Sequence, residues 1–309
     1  MIRTVTPNPA LDLTYRLERL RIGEVHRAQD VTETPGGKGI NVARVLASLG
    51  HEVHCCGFLG GSTGEHLEHL LSRTPVHQDW TLVAGETRRT VTVVDEAGAT
   101  LINEPGPPVS RRDWERLTRT VQARTGAGDV VVISGSAPPG TGADDLPALV
   151  RALVEADARV IADTSGPALL DVAAAGPAVL KPNHLELQAA TGIDDPVAGA
   201  QDLLARGAGA VLVSRGADGV LLVTPEGAWQ ARTEPIKGGN PTGAGDAAVA
   251  ALAAALASGA EGAGLADHLP DVVALSAAAV LMPTAGAVDA DFYARMRPSI
   301  RTEPFHAAS

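Results

Sequence analysis

The sequence predicts an α/β chain with a mostly parallel central sheet, covered by helices on both faces, and a small second sheet set apart from it. Three observations predict this. From about residue 130, short apolar strand runs alternate with helical runs, and strands buried on both faces read as continuous apolar segments. Two half-polar strand regions, 12–34 and 87–104, do not fit such an interior and are expected to come together as a separate lid. Finally, two glycine-bearing turns, around residues 36–39 and 243–245, run straight into apolar helices.

Taken in order, residues 2–6 read as a first strand stopped by Pro7-Asn8-Pro9. Residues 12–17 and 25–32 alternate polar and apolar, as half-exposed strands do. From Lys38 the pattern turns helical and runs to Gly50. A strand at 53–59 and a helix at 62–72 follow. Residues 87–95 and 100–103 read as a hairpin turning at Glu96-Ala97-Gly98. Beyond the helix at 111–124, strands are expected at 130–134, 159–163, 178–180 and 210–214. Helices are expected near 143–156, 185–191 and 197–206. A strand pair at 220–223 and 228–231 precedes two helices, 243–257 and 267–281. Residues 298–309 read as a poorly anchored tail.

The chain has 309 residues, enough for a substantial core in one large or two medium domains. Aromatics are only 3%, so that core must be built from Val, Leu and Ala. The formal charge of −11 argues against nucleic acid as a partner, because phosphate-backbone binding needs a basic surface. The two cysteines, Cys55 and Cys56, are adjacent in an apolar run, which suits buried thiols and a reducing, cytoplasmic setting. No charge-free stretch reaches membrane length, so no membrane is expected as a partner. The nine histidines show no metal-ligand spacing.

The chemistry is expected where glycine loops open helices. In Asn240-Pro241-Thr242-Gly243-Ala244-Gly245-Asp246, the glycines let the backbone approach a ligand. The unpaired first-turn N–H groups there form an anion site. Asp246 is then either a helix-terminal charge or a base that takes a proton from a hydroxyl held beside those amides. Gly36-Gly37-Lys38-Gly39-Ile40-Asn41 is the second such start, offering a cation and a first-turn amide, and it lacks the Walker A spacing. Asp12, just after strand one, could accept two sugar hydroxyls. Of Arg88 and Arg89 at the head of a strand, only one can face inward. Ser134-Gly135-Ser136 and Lys181-Pro182-Asn183-His184-Leu185-Glu186 each follow a strand, at the edge where open α/β sheets bind ligands. Asn183 and Glu186 have the spacing of a capping box and could equally orient water on Mg²⁺. The turn Ser214-Arg215-Gly216-Ala217-Asp218-Gly219 could hold nucleotide phosphates or ribose.

Taken together these motifs resemble the ribokinase-like (PfkB) carbohydrate kinases, from Thr6 to about Tyr293. The stretches 36–44 and 243–246 match the two signatures of that family in order and spacing. Asn8-Pro9-Ala10-Leu11-Asp12, Gly23-Glu24-Val25, Thr87-Arg88 and Ser134-Gly135-Ser136 are similar to its 1-phosphofructokinase and tagatose-6-phosphate kinase branch. The resemblance implies a three-layer αβα sandwich with a β lid, using ATP and Mg²⁺. It implies Asp246 as the base, with Gly243, Ala244 and Gly245 as the anion hole. Asp12, Gly37 and Asn41 would hold sugar hydroxyls, and Lys38, Arg88 and Ser136 the phosphate already on the substrate. Lys181, Asn183, Glu186, Ser214, Gly216 and Gly219 would serve the nucleotide, Glu186 meeting the metal through water. Pro241 departs from the usual small or aliphatic residues before Gly243; it stiffens the approach and removes an N–H.

The activity expected is ATP-dependent phosphorylation of a phosphorylated ketohexose, with fructose 1-phosphate first and tagatose 6-phosphate or fructose 6-phosphate as alternatives. A free hexose or nucleoside would not need Lys38 and Arg88. A non-catalytic sugar-phosphate sensor would not need Asp246. A dinucleotide oxidoreductase would need a G-x-G-x-x-G after strand one, which is missing. A second copy of the chain is a candidate partner through the lid.

Overall fold

Two sheets with different surroundings organise the chain. The structure is a computed structural model that describes residues 1–236 and 239–305. It begins with β1 (Ile2–Thr6), β2 (Ala10–Arg16), β3 (Asp30–Gly36), α1 (Lys38–Ser48), β4 (Val53–Leu59), α2 (Gly61–Leu71) and β5 (His77–Leu82). Next come β6 (Arg88–Asp95), β7 (Gly98–Asn103), α3 (Arg111–Gln122), β8 (Val130–Ser134), α4 (Asp145–Val154), β9 (Arg159–Asp163) and α5 (Ala168–Ala174). After these lie β10 (Val179–Leu180), α6 (His184–Thr191), α7 (Pro196–Arg206), β11 (Val211–Ser214), β12 (Val220–Thr224) and β13 (Gly227–Ala231). The chain closes with α8 (Ala244–Ala257), α9 (Leu269–Val280), α10 (Ala290–Met296) and β14 (Thr302–Pro304).

The large sheet has the order β14-β13-β12-β11-β10-β9-β8-β1-β4-β5. From β11 to β5 every pairing is parallel; β12, β13 and β14 add an antiparallel flank. Alternating side chains split the core into two layers. Ile2, Val130 and Val132 pack on one face with Ile40 and Leu46 of α1, Leu252 of α8 and Val272 of α9. Val5, Val131 and Ile133 pack on the other with Trp114 and Leu117 of α3, Leu149 of α4 and Leu203 of α7. The result is the αβα sandwich. Helix α8 is apolar all round and buried on nearly every side, which alanine permits because neighbouring helices can approach closely.

The second sheet has the order β3-β2-β6-β7, so the regions 12–34 and 87–104 do pair. Strand β3 of this sheet lies later than the 25–32 expected from alternation. Val25 is 91% exposed in a connecting loop, and pairing runs instead from Asp30 to Gly36. Pro35 is tolerated because β3 is an edge strand whose missing N–H costs no ladder bond.

The tail also differs from expectation. Ile300 is buried and Thr302–Pro304 pairs with β13, while residues 306–309 of the expected tail lie outside the described residues. Strand β5 and helices α5 and α10 were not expected. Residues 262–280 form one helical stretch long and apolar enough, by length and composition, to cross a membrane. It carries Asp267 and Asp271, and its α9 part packs in the core against α8.

Candidate active site

β1 is flanked by β8 on one side and β4 on the other, so the parallel strands end around a switch point, where such sheets leave a crevice. Their carboxyl ends deliver Asn8 after β1, Ser134 on β8, Asp163 on β9, Lys181 after β10 and Ser214 on β11. Gly39 lets α1 start directly on this edge, since a Cβ there would overlap the Thr6 hydroxyl and the Val5 carbonyl. Gly37, at φ 108°, supplies the turn into α1 that an L side chain would strain.

At the centre are two buried carboxylates. Asp246, on the first turn of α8, accepts a hydrogen bond from Asn41 Nδ2 at 2.8 Å. Asp163, 2% exposed, accepts from Ser134 Oγ at 2.8 Å. It also pairs with Lys38 Nζ through one oxygen and Lys181 Nζ through the other, each at 3.3 Å. Burial pushes the Asp246 carboxyl up to about 6; the Asn41 amide opposes this, Asp163 adds to it, and Lys38 and Lys181 oppose it. Burial would push Asp163 up as well, but Lys181 and Lys38 outweigh it and hold that carboxyl below its ordinary range. For Lys38, burial is overcome by Asp163, Asp246 and Glu186, which hold the ammonium above its ordinary range. One neutralisable acid thus stands beside one fixed anion and two cations.

The start of α8 has the expected glycine geometry. Gly243 is left-handed, at φ 92°, and a Cβ on it would come within 3.0 Å of Ala285. A Cβ on Gly245 would lie 3.7 Å from Lys181 Nζ. Of the three amides expected in the anion hole, that of Ala244 turns back to the Pro241 carbonyl at 3.2 Å. Asn240 accepts from the Thr242 amide at 3.0 Å and donates to the Pro283 carbonyl at 3.2 Å, so it serves its own turn.

On the second sheet, Asp12 lies between Thr34 and Thr90 on neighbouring strands, with Ala10 beside Arg88. Burial raises Asp12 to about 6, against the Thr90 hydroxyl, Arg88 and Arg44. Arg88 donates from Nε to the Asn8 carbonyl at 3.1 Å, whereas the exposed Arg89 reaches Thr63 Oγ1 at 3.2 Å. The two arginines therefore diverge, as alternation requires. Lys38 pairs with Asp163, whereas Arg88 stands by Asp12 and the Asn8 carbonyl. Ser136 is exposed just beyond β8.

Toward β11, Asn183 and Glu186 form both halves of a capping box, each bond at 2.8 Å. Asn183 bridges to Ser214, and a cavity of about 470 Å³ opens between them and Gly216. Gly216 and Gly219 are both left-handed, and Arg215 stacks 5.5 Å from the Phe305 ring.

Sequence reasoning missed Asp163 and Arg44. A carboxylate closing the apolar run Arg159-Val160-Ile161-Ala162-Asp163 is a signal of the same kind as Ser134. The histidines also need correction. His54 and His77 stack with centroids 4.7 Å apart, and Glu52 is 3.7 Å from His54, because β4 and β5 align them across a strand pair. This cluster sits at the amino ends of those strands, the opposite edge from the site, and its ligand atoms lie within 4.8 Å of one another.

A family model described as "pfkB family carbohydrate kinase" matches residues 6–290. The chain belongs to that family. Its reaction is therefore ATP-dependent phosphorylation of a sugar hydroxyl. The chain is similar to a 1-phosphofructokinase of Haloferax volcanii, 39% identical over 82% of this chain and 84% of the relative. It is 36% identical to a 1-phosphofructokinase of Bacillus subtilis over 83% and 86%. Among solved structures it is similar to the tetrameric inhibited form of phosphofructokinase-2 from Escherichia coli. That match has a TM-score of 0.88 and 32% identity, covering 96% of this chain and 98% of that one.

Proposed function

We propose that this kinase transfers the γ-phosphoryl group of ATP to the 6-hydroxyl of fructose 1-phosphate. The observation that carries the reading is Asp246: a buried carboxylate of raised pKa at a glycine-led helix start, held by Asn41 and flanked by Lys38 and Lys181. A base with a pKa near 6 is ionised at neutral pH yet basic enough to accept a hydroxyl proton. As the sugar oxygen bonds to the γ-phosphorus, the bond to the β-phosphate bridging oxygen breaks. The proton passes to Asp246, and ADP leaves. Charge growing on the phosphoryl oxygens meets the Gly243 and Gly245 amides and the positive end of α8. Ala244 contributes the turn that presents them.

Asp12, Gly37 and Asn41 fit the sugar hydroxyls, and Arg88 with Ser136 fits the resident phosphate. Lys38, surrounded by Asp163, Asp246 and Glu186, suits the transferring phosphoryl group better than the resident one. Lys181, Asn183, Ser214, Gly216 and Gly219 line the side from which ATP would enter. Glu186 is a hard oxygen donor that fits Mg²⁺ through water, and the ion would supply charge neutralisation on the phosphates. Initial rates with ATP against fructose 1-phosphate, tagatose 6-phosphate, fructose 6-phosphate and free fructose test the proposal. Fructose 1-phosphate should give the highest kcat/KM, and a free sugar preferred over every phosphosugar would overturn it.

Glu186 has both a capping and a metal-facing reading, and one variant separates them. Glu186→Gln keeps an acceptor for the Asn183 amide but loses the charge. The Mg²⁺ concentration for half-maximal rate should rise about tenfold or more, with little change in melting temperature. An unchanged Mg²⁺ response with a lower melting temperature would leave only the cap.

We also propose pairing of two copies through the second sheet. Strand β7 is an exposed edge, and Leu101, Ile102, Ile22 and Val25 stand in solvent there and in the loop joining β2 to β3. Bare apolar edges invite pairing. Light scattering should give a dimer mass, reduced to the monomer by Ile102→Glu; a monomeric wild type at micromolar concentration would contradict this.

A further inference from the structure

Arg44 belongs to the glycine-led stretch at the start of α1, and the reaction as described leaves it without a task. It lies one turn beyond Asn41, so both side chains point the same way from α1. Its Nη1 donates to the Ala285 carbonyl at 3.1 Å and to the Pro35 carbonyl at 3.4 Å. Those two carbonyls belong to different parts of the site. Pro35 is on β3 opposite Leu11, one position from Asp12, and Gly36 leaves the room that the Asp12 carboxylate fills. Ala285 touches Gly243 at the start of α8. Gly286 is as crowded: a Cβ there would lie 2.8 Å from Arg44 Nη1 and 3.0 Å from Asn41 Oδ1.

We infer that Arg44 is a positioning residue that couples the sugar-holding face of the second sheet to the anion hole, its guanidinium tying the Pro35 carbonyl beside the Asp12 position to the Ala285–Gly286 backbone that lies against Gly243. This rests on the proposed role of Asp12 with sugar hydroxyls. The groups facing Asp12 are Thr90 and Arg88 from β6 and Arg44 from α1. Burial drives Asp12 toward its neutral form, and Arg44 is one of two cations opposing that. Burial lowers Arg44 in turn, and Asp12 draws it back. Both bonds leave one nitrogen, Nη1, so a lysine ammonium supplies the charge and the donors together, whereas a glutamine amide supplies donors without charge.

The test uses the full chain, with Arg44→Gln and Arg44→Lys beside wild type. ¹³C titration of the Asp12 carboxyl, without substrate, should show its midpoint raised by about half a pH unit or more in Arg44→Gln. In Arg44→Lys it should stay near the wild-type value. Well below pH 6 the KM for fructose 1-phosphate should rise about threefold in Arg44→Gln, and hardly at all at pH 8, since a protonated Asp12 accepts fewer hydroxyls. Arg44→Lys should recover that KM and most of kcat, because its ammonium keeps the charge and donates from one nitrogen as Nη1 does. An unmoved Asp12 midpoint with unchanged kcat and KM, and only a lower melting temperature, would reduce Arg44 to a packing residue. If Arg44→Gln does not fold, Arg44→Lys decides alone: an Asp12 midpoint raised by about half a pH unit or more in it overturns the part played by charge. A wild type that ignores phosphosugars would overturn the proposed substrate, while the Asp12 titration still reads Arg44.

Discussion

Asp246→Asn is expected to lower kcat by about 10²–10⁴ while leaving sugar KM within a few-fold, since it removes the base and little else. Asparagine can still accept the Asn41 amide, so the 2.8 Å contact is retained in kind. The same substitution should not cost stability above pH 6. Wild-type Asp246 has a folded-state pKa of about 6, above its ordinary 3.8. Between those values the folded state binds the extra proton, so its contribution is present at low pH and is lost as pH rises through about 6. An acid raised this far costs about 1–3 kcal/mol at pH 8, and the amide avoids that cost. A helix-terminal charge would behave oppositely: its loss would lower the melting temperature by a few degrees and leave kcat nearly intact. The pH profile adds a further sign. Asp246 and Asp12 are both near 6 and both needed as anions, so log kcat/KM should fall below pH 6 with a slope approaching two. In Asp246→Asn the remaining limb should have a slope near one.

Much of this was legible because the chemistry is local in sequence. Gly243-Ala244-Gly245-Asp246 announces a glycine-led helix start with a carboxylate in its first turn within four residues. The parallel core was legible because its strands are continuous apolar runs. What failed did so for physical reasons. Strand β5, His-Gln-Asp-Trp-Thr-Leu, is an edge strand with mixed faces, and its pattern resembles a loop. Helices α5 and α10 are seven residues each, too short for periodicity, although Asp289 caps α10 by accepting from the Phe292 amide. In the small sheet, Val25 suggested a strand that Pro35 and Gly36 instead complete.

Asp163 and Arg44 escaped for a different reason. Each acts through partners more than a hundred residues away: Lys38 for Asp163 and Ala285 for Arg44. Only the folded sheet edge brings those partners together. Lys38 and Arg88, which sequence alone assigned to one phosphate, have different protein partners in the fold, Asp163 and the Asn8 carbonyl.

Those different partners set the second large effect. Arg88→Ala should cost about 10- to 100-fold in kcat/KM on fructose 1-phosphate, the worth of a charge-assisted contact to a phosphate. It should cost far less on free fructose, which brings no charge to Arg88. Lys38→Ala should lower kcat about 10²-fold or more on both sugars, because a cation beside Asp246 and Glu186 serves the transferring group. The two losses should add in the double variant, as they do for groups with no shared partner. The central claim is that this site holds a sugar already carrying one phosphate, with Arg88 on that phosphate and Asp246 at the opposite hydroxyl. The most direct test is the ratio of kcat/KM on fructose 1-phosphate to that on free fructose, measured in wild type and Arg88→Ala. A ratio that collapses by about tenfold or more in the variant is the predicted result; a ratio unchanged by the loss of Arg88 would contradict the claim.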